Sequence, residues 1–294
     1  MPISADLTTH LCDKLSEHSG RSLQIHEAVT VGGGSINDAY RLVTTAGSYF
    51  VKTNSADRFP SMFEAEADGL ARLRNTRSIR TPEVIAVGEF EDTSYLLLEL
   101  IEQGDRDLDF WGRFGEELAD LHRNSSPRFG LERPNYIGTL PQVNTEELDW
   151  ATFMVQHRLE PMVKMGRDGK KVDAGMAFRF ERLYGKLADL FPKEPPALLH
   201  GDLWQGNFLC SEAGQPVLVD PAVYYGHREM DLAMARLFGG FEASFHRSYQ
   251  EAWPLEKGWE ARVDLCNLYP LLVHVNLFGG SYAQQVDGIL KRFV

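Results

Sequence analysis

Apolar positions change their spacing once along the chain, near residue 103. Before it they alternate in short runs: "SLQIHEAVTV" from Ser22, "AYRLVT" from Ala39 and "SYFVKT" from Ser48, parted by a glycine-rich corner and by the turn at Ala46-Gly47. Alternation of period two between turn residues predicts an antiparallel meander. "VIAVGEF" and "SYLLLELI", up to Ile101, predict two further strands. Two segments break this rhythm. Residues 7–18 predict a short helix, and in "SMFEAEADGLARLRN" Phe63, Ala67, Leu70 and Leu73 or Arg74 recur at helical spacing. Past Gln103 the helical period takes over, as in "FWGRFGEELADLHR", where Phe110, Phe114, Leu118 and Leu121 form one stripe. One more hairpin, "NFLC" and "PVLVD" around "EAGQ", interrupts the helical remainder. The two "FGG" runs, 238–240 and 278–280, read as helix ends stopped by glycine. The pattern predicts an α+β chain in two lobes, residues 1–101 mainly sheet and 102–294 mainly helix, jointed near Glu99 to Gln103.

Composition narrows what such a chain does. A net charge of −12 opposes nucleic acid and anionic membrane as partners, since both are held by basic surfaces. No run approaches the roughly 18 apolar residues of a membrane span. The first fifteen residues lack the basic-then-apolar order of a signal peptide. Cys12, Cys210 and Cys266 are too sparse for a disulfide scaffold or a zinc site, so the expected setting is the reducing cytoplasm. Cys210 reads as a small buried residue.

The candidate chemistry gathers at four places. The corner "VGGGSIND" carries Gly32, Gly33, Gly34 and Ser35 between two strands. It is either a hairpin turn or a loop whose backbone N–H groups approach phosphate unobstructed by Cβ atoms. It lacks the Walker A pattern, and no helix follows as a dinucleotide fold requires. Lys52 lies in a strand and needs a carboxylate partner to serve as a phosphate-gripping lysine. The next helix offers Glu64 and Glu66. Glu66 falls beside the stripe of Phe63, Ala67 and Leu70, whereas Glu64 shares a face with Asp68 and Arg72 that reads as solvated. Glu66 is therefore the expected partner, in the manner of a kinase lysine–glutamate pair.

Finally, "LLHGDLWQGNFL" sets charge, amide and indole between apolar flanks. If "EAGQ" is the turn, Asn207 and Asp220 meet at one end of the hairpin, where they can share a divalent cation such as Mg²⁺, and Asp202 faces the same spot. Trp204 either packs between the lobes or forms a platform for a sugar or its aglycone. His227, Glu229 and Asp231 alternate like metal ligands, but Asp231 is expected to cap the helix "LAMARLF" and the other two to be structural.

"HGDLWQGN" resembles the catalytic loop of the aminoglycoside-phosphotransferase branch of the kinase superfamily, in which HGD stands for the HRD of protein kinases. More narrowly, "GGGSIND", "MFEAEADGLARL", "HGDLWQGNFL", "VDPAVYYGHREMDLAM", "FGGF" and "LYPLLVHVNLFGGSY" resemble the fructosamine (ketosamine) kinase family from about residue 24 to 286. That resemblance implies a two-lobed protein-kinase-like fold using ATP and Mg²⁺. Asp202 would be the base, Asn207 and Asp220 the metal ligands, and Lys52 with Glu66 the phosphate grip. The backbone of Glu99, Leu100 and Ile101 would meet the adenine. It implies phosphorylation of the 3-hydroxyl of a small or protein-bound ketosamine, which promotes deglycation, by a chain expected to be monomeric. The rivals are another acceptor (an aminoglycoside, choline or a sugar) and a catalytically dead nucleotide-binding regulator. Two departures matter. "VDP" stands where kinases have DFG, with little room after it for an activation segment. Ser35 stands where many eukaryotic members have cysteine, so no thiol switch is expected at that loop.

Overall fold

The computed structural model describes residues 3–32 and 37–294. The first third contains α1 (Ala5–Ser19), β1 (Ile25–Thr30), β2 (Asp38–Thr44), β3 (Gly47–Ser55), α2 (Met62–Thr76), β4 (Val84–Phe90) and β5 (Thr93–Glu99). Its five strands form one antiparallel sheet in the order β1-β2-β3-β5-β4.

The hydrophobic run of β5 is continuous because both of its faces are covered. Leu97 points to one side, where Leu7, Leu11 and Leu15 of α1 join Leu42 and Val51 in a core. Leu96 and Leu98 point to the other side, against Phe63, Ala67 and Leu70 of α2. Each fully buried leucine of this kind stabilises the fold by about 1.5–3 kcal/mol. α1 begins where Ser4 Oγ accepts the N–H of Leu7 and stops at Gly20 in the left-handed region. In β3 the same alternation sends Val51 toward α1 and Lys52 toward α2.

The remainder begins with α3 (Phe110–His122), β6 (Asn135–Ile137), β7 (Leu140–Gln142) and α4 (Trp150–Met154), which runs through a π-helical turn, Val155–Leu159, into α5 (Glu160–Asp168). Next come α6 (Ala174–Tyr184), α7 (Leu187–Leu190), β8 (Ala197–Leu199), β9 (Phe208–Cys210), β10 (Pro216–Leu218) and β11 (Tyr224–Gly226). The chain closes with α8 (Glu229–Leu237), α9 (Ala243–Ala252), α10 (Trp259–Phe278) and α11 (Tyr282–Phe293). Both "FGG" runs do end helices: Gly239, Gly240, Gly279 and Gly280 all take positive φ directly after α8 and α10. No described helix is long and apolar enough to cross a membrane.

The sheet-rich and helix-rich parts are tied behind the cleft as well as through residues 99–104. Leu73 and Ile79, from the end of α2 and just beyond it, are buried in the helical part's core beside Phe110, Phe114 and Val223. The Leu218 N–H donates to Arg80 O at 2.9 Å, and Arg80 bridges Val217. α2 is therefore fixed to the hairpin that precedes Asp220. A methyl group on Gly69 would stand 3.3 Å from both Pro221 and Val223, so α2 and the post-Asp220 segment approach too closely for a larger residue to fit without displacement.

Candidate active site

β8 runs buried through the core and delivers His200, Gly201 and Asp202 to the cleft. Gly201 has φ +83°, and a Cβ there would lie 2.1 Å from Ala222 O, so only glycine fits. The loop is held from below by Asp231, 1% exposed, whose carboxylate accepts the N–H of His200 at 2.7 Å and of Gly201 at 2.9 Å. A third donor, His122 Nε2–H, lies 3.2 Å away, while His122 Nδ1 accepts from the Tyr249 hydroxyl at 2.9 Å. The expectation that Asp231 caps a helix is therefore corrected. It sits inside the first turn of α8, and three buried donors outcompete the helix end for its oxygens.

His200 joins the two halves of the site. Its Nδ1 accepts the Asp202 N–H at 3.2 Å, so Nε2 carries the proton and donates to Val219 O at 2.9 Å. Burial holds the imidazole below its usual pKa and keeps it in this neutral form. Asp202 Oδ2 and its own backbone oxygen each accept from Asn207 Nδ2 at 2.9 Å. Desolvation pushes the Asp202 carboxyl up to about 7; the Asn207 bond opposes this, and the charges of Asp220 and Asp231 add to it.

Asn207 precedes β9 and Asp220 follows β10, with Phe208 opposite Leu218 and the Val219 N–H donating to Asn207 O at 3.0 Å. The hairpin thus brings the two residues to one end. Asp220 has φ +55°, a conformation that costs a non-glycine residue about 1–3 kcal/mol and recurs at functional sites. Its half-exposed carboxylate reaches Lys52 Nζ, 2.5 Å from Oδ1, and Lys52 also bonds Glu66 Oε1 at 2.7 Å. Burial by itself would depress Lys52, but the Asp220 and Glu66 carboxylates outweigh it and hold the amine above its ordinary value.

The structure joins Lys52 to Glu66 and not to Glu64. The face of Glu64 is less solvated than its sequence suggests, since Arg72 bridges Asp68 at 2.7 Å to Glu132, and Glu64 Oε2 is enclosed without a partner. Among the described residues, nothing lies within 4 Å of where a Cβ on Gly32 would stand. Gly33, Gly34 and Ser35 lie outside the described residues. The Glu99 N–H is committed to Glu83 O at 2.9 Å and its carboxylate pairs with Arg80, while Leu100 and Ile101 lie beyond the end of β5.

Trp204 lies on the helical side of the cleft, edge-on to Phe238 at 6.2 Å, and its ring covers Gly206, where a Cβ would meet it at 2.4 Å. With Asp202 it lines a cavity of about 410 Å³ that extends toward α8, α10 and Tyr282. Cys210 is buried, with Sγ 3.4 Å from Asp105 O. Among the described residues no cluster of three His, Cys, Asp or Glu side chains forms, the 227–231 set included. Instead Glu229 pairs with Arg262 at 2.5 Å. Sequence reading missed His122 and the anchoring role of Asp231. The available signals were a histidine four residues after Leu118 on an apolar stripe, and an acid among Met230, Leu232 and Ala233.

Comparison with known proteins fits this geometry. The model of the family described as "Fructosamine kinase" matches residues 7–294. A probable ketoamine kinase of Enterococcus faecium is 42% identical, over 91% of this chain and 95% of its own length. A chloroplastic protein-ribulosamine 3-kinase of Arabidopsis thaliana is 39% identical, over 94% of this chain and 85% of its own. The crystal structure of a putative fructosamine-3-kinase from Haemophilus somnus superposes with a TM-score of 0.88 at 27% identity, covering 98% of this chain and 99% of that one. An aminoglycoside phosphotransferase solved with ADP and hygromycin B shares the fold, with a TM-score of 0.62 at 16% identity, over 96% of this chain and 98% of that one.

A five-stranded sheet whose central lysine meets a helix glutamate, set over a helical part bearing an HGD loop, is a protein-kinase-like fold. Within that class, the match spanning residues 7–294 is decisive: this chain belongs to the fructosamine kinase family.

Proposed function

We propose that the protein transfers the γ-phosphoryl group of ATP to the 3-hydroxyl of a ketosamine, the adduct of a sugar and an amine. The observation that carries this reading is Asp202, which lines the 410 Å³ cavity and is tied through Asn207 to the hairpin end that bears Asp220. Desolvation raises this carboxyl and so makes it a stronger proton acceptor than an exposed aspartate. The acceptor hydroxyl loses its proton to Asp202 as its oxygen bonds to the γ-phosphorus. The bond from that phosphorus to the bridging oxygen breaks, and ADP leaves with the electron pair.

Lys52, oriented by Glu66, grips the phosphates, and Leu100 and Ile101 receive the adenine edge with the carbonyl of Glu99. The glycine-rich corner that begins at Gly32 is assigned to the phosphates on its sequence alone. The donors around Asp220 suit Mg²⁺: they are oxygens only, a hard set, and the Asn207 amide nitrogen is turned to Asp202, leaving its oxygen for a cation. Asn207 and Asp220 would hold Mg²⁺, which supplies charge neutralisation for the phosphates. Release of the amine from the resulting 3-phosphate makes deglycation the outcome. The reading is of a monomeric, cytoplasmic enzyme whose lobes divide after Ile101, free of nucleic acid and membrane, in keeping with the charge of −12.

The test is ADP release with Mg²⁺-ATP across fructosamines, ribulosamines and erythrulosamines, with free lysine and kanamycin as controls and phosphorus NMR locating the ester. Transfer to O3 of a ketosamine is expected, with the controls poor. Transfer to kanamycin alone would move the protein to the aminoglycoside branch, and no transfer at all would leave a nucleotide-binding regulator.

The shared position of Lys52 yields a second expectation. Lys52→Met and Glu66→Ala should each lower turnover by roughly a hundredfold or more, the range seen when one preorganised charge contact is removed. Glu64→Ala should stay within a few-fold of wild type, since Glu64 touches neither the lysine nor Asp220. Equal losses at Glu64 and Glu66 in the same assay would show that the helix face was misassigned.

A further inference from the structure

The strap that ties the two parts behind the cleft also walls a second cavity, of about 460 Å³. Arg74, Arg77 and Arg80 line it from the end of α2 and the segment beyond. Glu83 and Glu99 line it from the start of β4 and the end of β5, and Glu117 from α3 in the helical part. Three arginines thus stand against three glutamates. That balance opposes a polyanion and a polycation alike, and it suits a ligand whose own charges sum to zero.

Two of the three pairs are closed. Arg80 bridges Glu99, and Arg74 lies 4.0 Å from Glu83. Arg77 and Glu117 are left over: among the described residues neither side chain makes a hydrogen bond or an ion pair. Arg113, the cation whose charge acts on Glu117, is committed to Asp107 at 3.1 Å and to Gly214 O at 2.7 Å. Desolvation pushes the half-buried Glu117 carboxyl up to about 7; Arg113 opposes this, and Asp120 and Glu116 add to it. Arg77 is held at a cost of its own. It caps α2 with φ +58°, in the left-handed region where glycine is the common residue and an arginine is strained. A strained cation and a desolvated anion line one cavity without meeting. They are matched to a molecule that carries both signs.

We propose that this cavity is a second ligand site, for a small amino acid in its zwitterionic form. The carboxylate meets the Arg77 guanidinium, whose planar fork fits it, and the ammonium meets Glu117. The volume lies within the roughly 300–1,000 Å³ of small-molecule sites. Arg77 belongs to the sheet-rich part and Glu117 to the helical part, so the bound molecule clasps the two together. The site stands apart from the HGD cavity, and its ligand does not depend on which acceptor is phosphorylated.

Calorimetry at neutral pH on the whole chain tests the site with L-alanine, 4-aminobutyrate and 6-aminohexanoate, which set the two charges progressively farther apart. At least one should bind with a dissociation constant of about 1 mM or below. Its amide and its N-acetyl derivative, each lacking one charge, should bind at least about tenfold more weakly. Arg77→Gly removes the guanidinium and suits the left-handed backbone, and Glu117→Gln removes the charge with little change of shape. Each should weaken binding by about tenfold or more. Thermal unfolding verifies that both variants fold; where one does not, the other decides. No binding of any of the three at about 10 mM overturns the site. So does equal affinity for the blocked derivatives, and so does binding that survives both substitutions, which would place the amino acid elsewhere, the HGD cavity included.

Discussion

Asp202→Asn should lower turnover on a ketosamine by at least about a thousandfold while nucleotide affinity stays within a few-fold of wild type. General base catalysis is worth about 10²–10⁴ in rate, and an amide cannot take the hydroxyl proton. The substitution keeps the loop's shape, because an asparagine oxygen still accepts from Asn207 Nδ2 and the backbone bond to His200 is untouched. Coupled ADP release gives turnover, and calorimetry with Mg²⁺-ATP gives affinity. Asp220→Ala supplies the contrast. It removes both a Lys52 partner and a candidate metal ligand, so nucleotide binding should fall together with turnover. Near-normal phosphorylation by Asp202→Asn would show that the proton goes elsewhere.

The largest effect on stability is expected at Asp231. Asp231→Ala leaves the N–H groups of His200 and Gly201 and the Nε2–H of His122 without an acceptor, all in the interior. Each orphaned buried donor costs about 1–3 kcal/mol, so with three of them a loss of about 3 kcal/mol or more is expected in a denaturant titration. Turnover should fall as well, since the HGD loop is free to move once its anchor is gone. Asp231→Asn, which retains one acceptor oxygen, should lie between the two proteins on both measures. A midpoint for Asp231→Ala corresponding to less than about 1 kcal/mol would mean that the loop holds its shape without the carboxylate.

How much of this was visible in the sequence depends on the range of the interaction. The strands up to Glu99 and the helix at 62–76 follow from periodicity, because alternation and helical stripes are local properties. The approach of Lys52 to Glu66 is legible for the same reason: one residue sits on the α2 face of β3, the other beside the α2 stripe. Even the meeting of Asn207 with Asp220 follows from a single hairpin. Asp231 did not yield to this reading. Its partners lie on the HGD loop and on α3, and only the packing of α8 beneath both selects them over a helix-capping role. Lys52's bond to Asp220 is equally non-local, spanning 168 residues. The Arg80–Leu218 strap also arises where distant elements close on one another, which no window of sequence contains.

The stretch from Pro221 to Arg228 has a consequence for control. Tyr224, Tyr225 and Gly226 are already paired with Leu199, Leu198 and Ala197, and the Tyr225 N–H donates to Gly130 O at 2.9 Å. α8 starts immediately afterwards, at Glu229. Nothing on this path is left loose to be withheld, unfolded or phosphorylated into place. No separate ordering step is therefore required of this path once the chain has folded. That suits the proposed housekeeping trade, in which damage arrives at its own pace and the repairer need only be present.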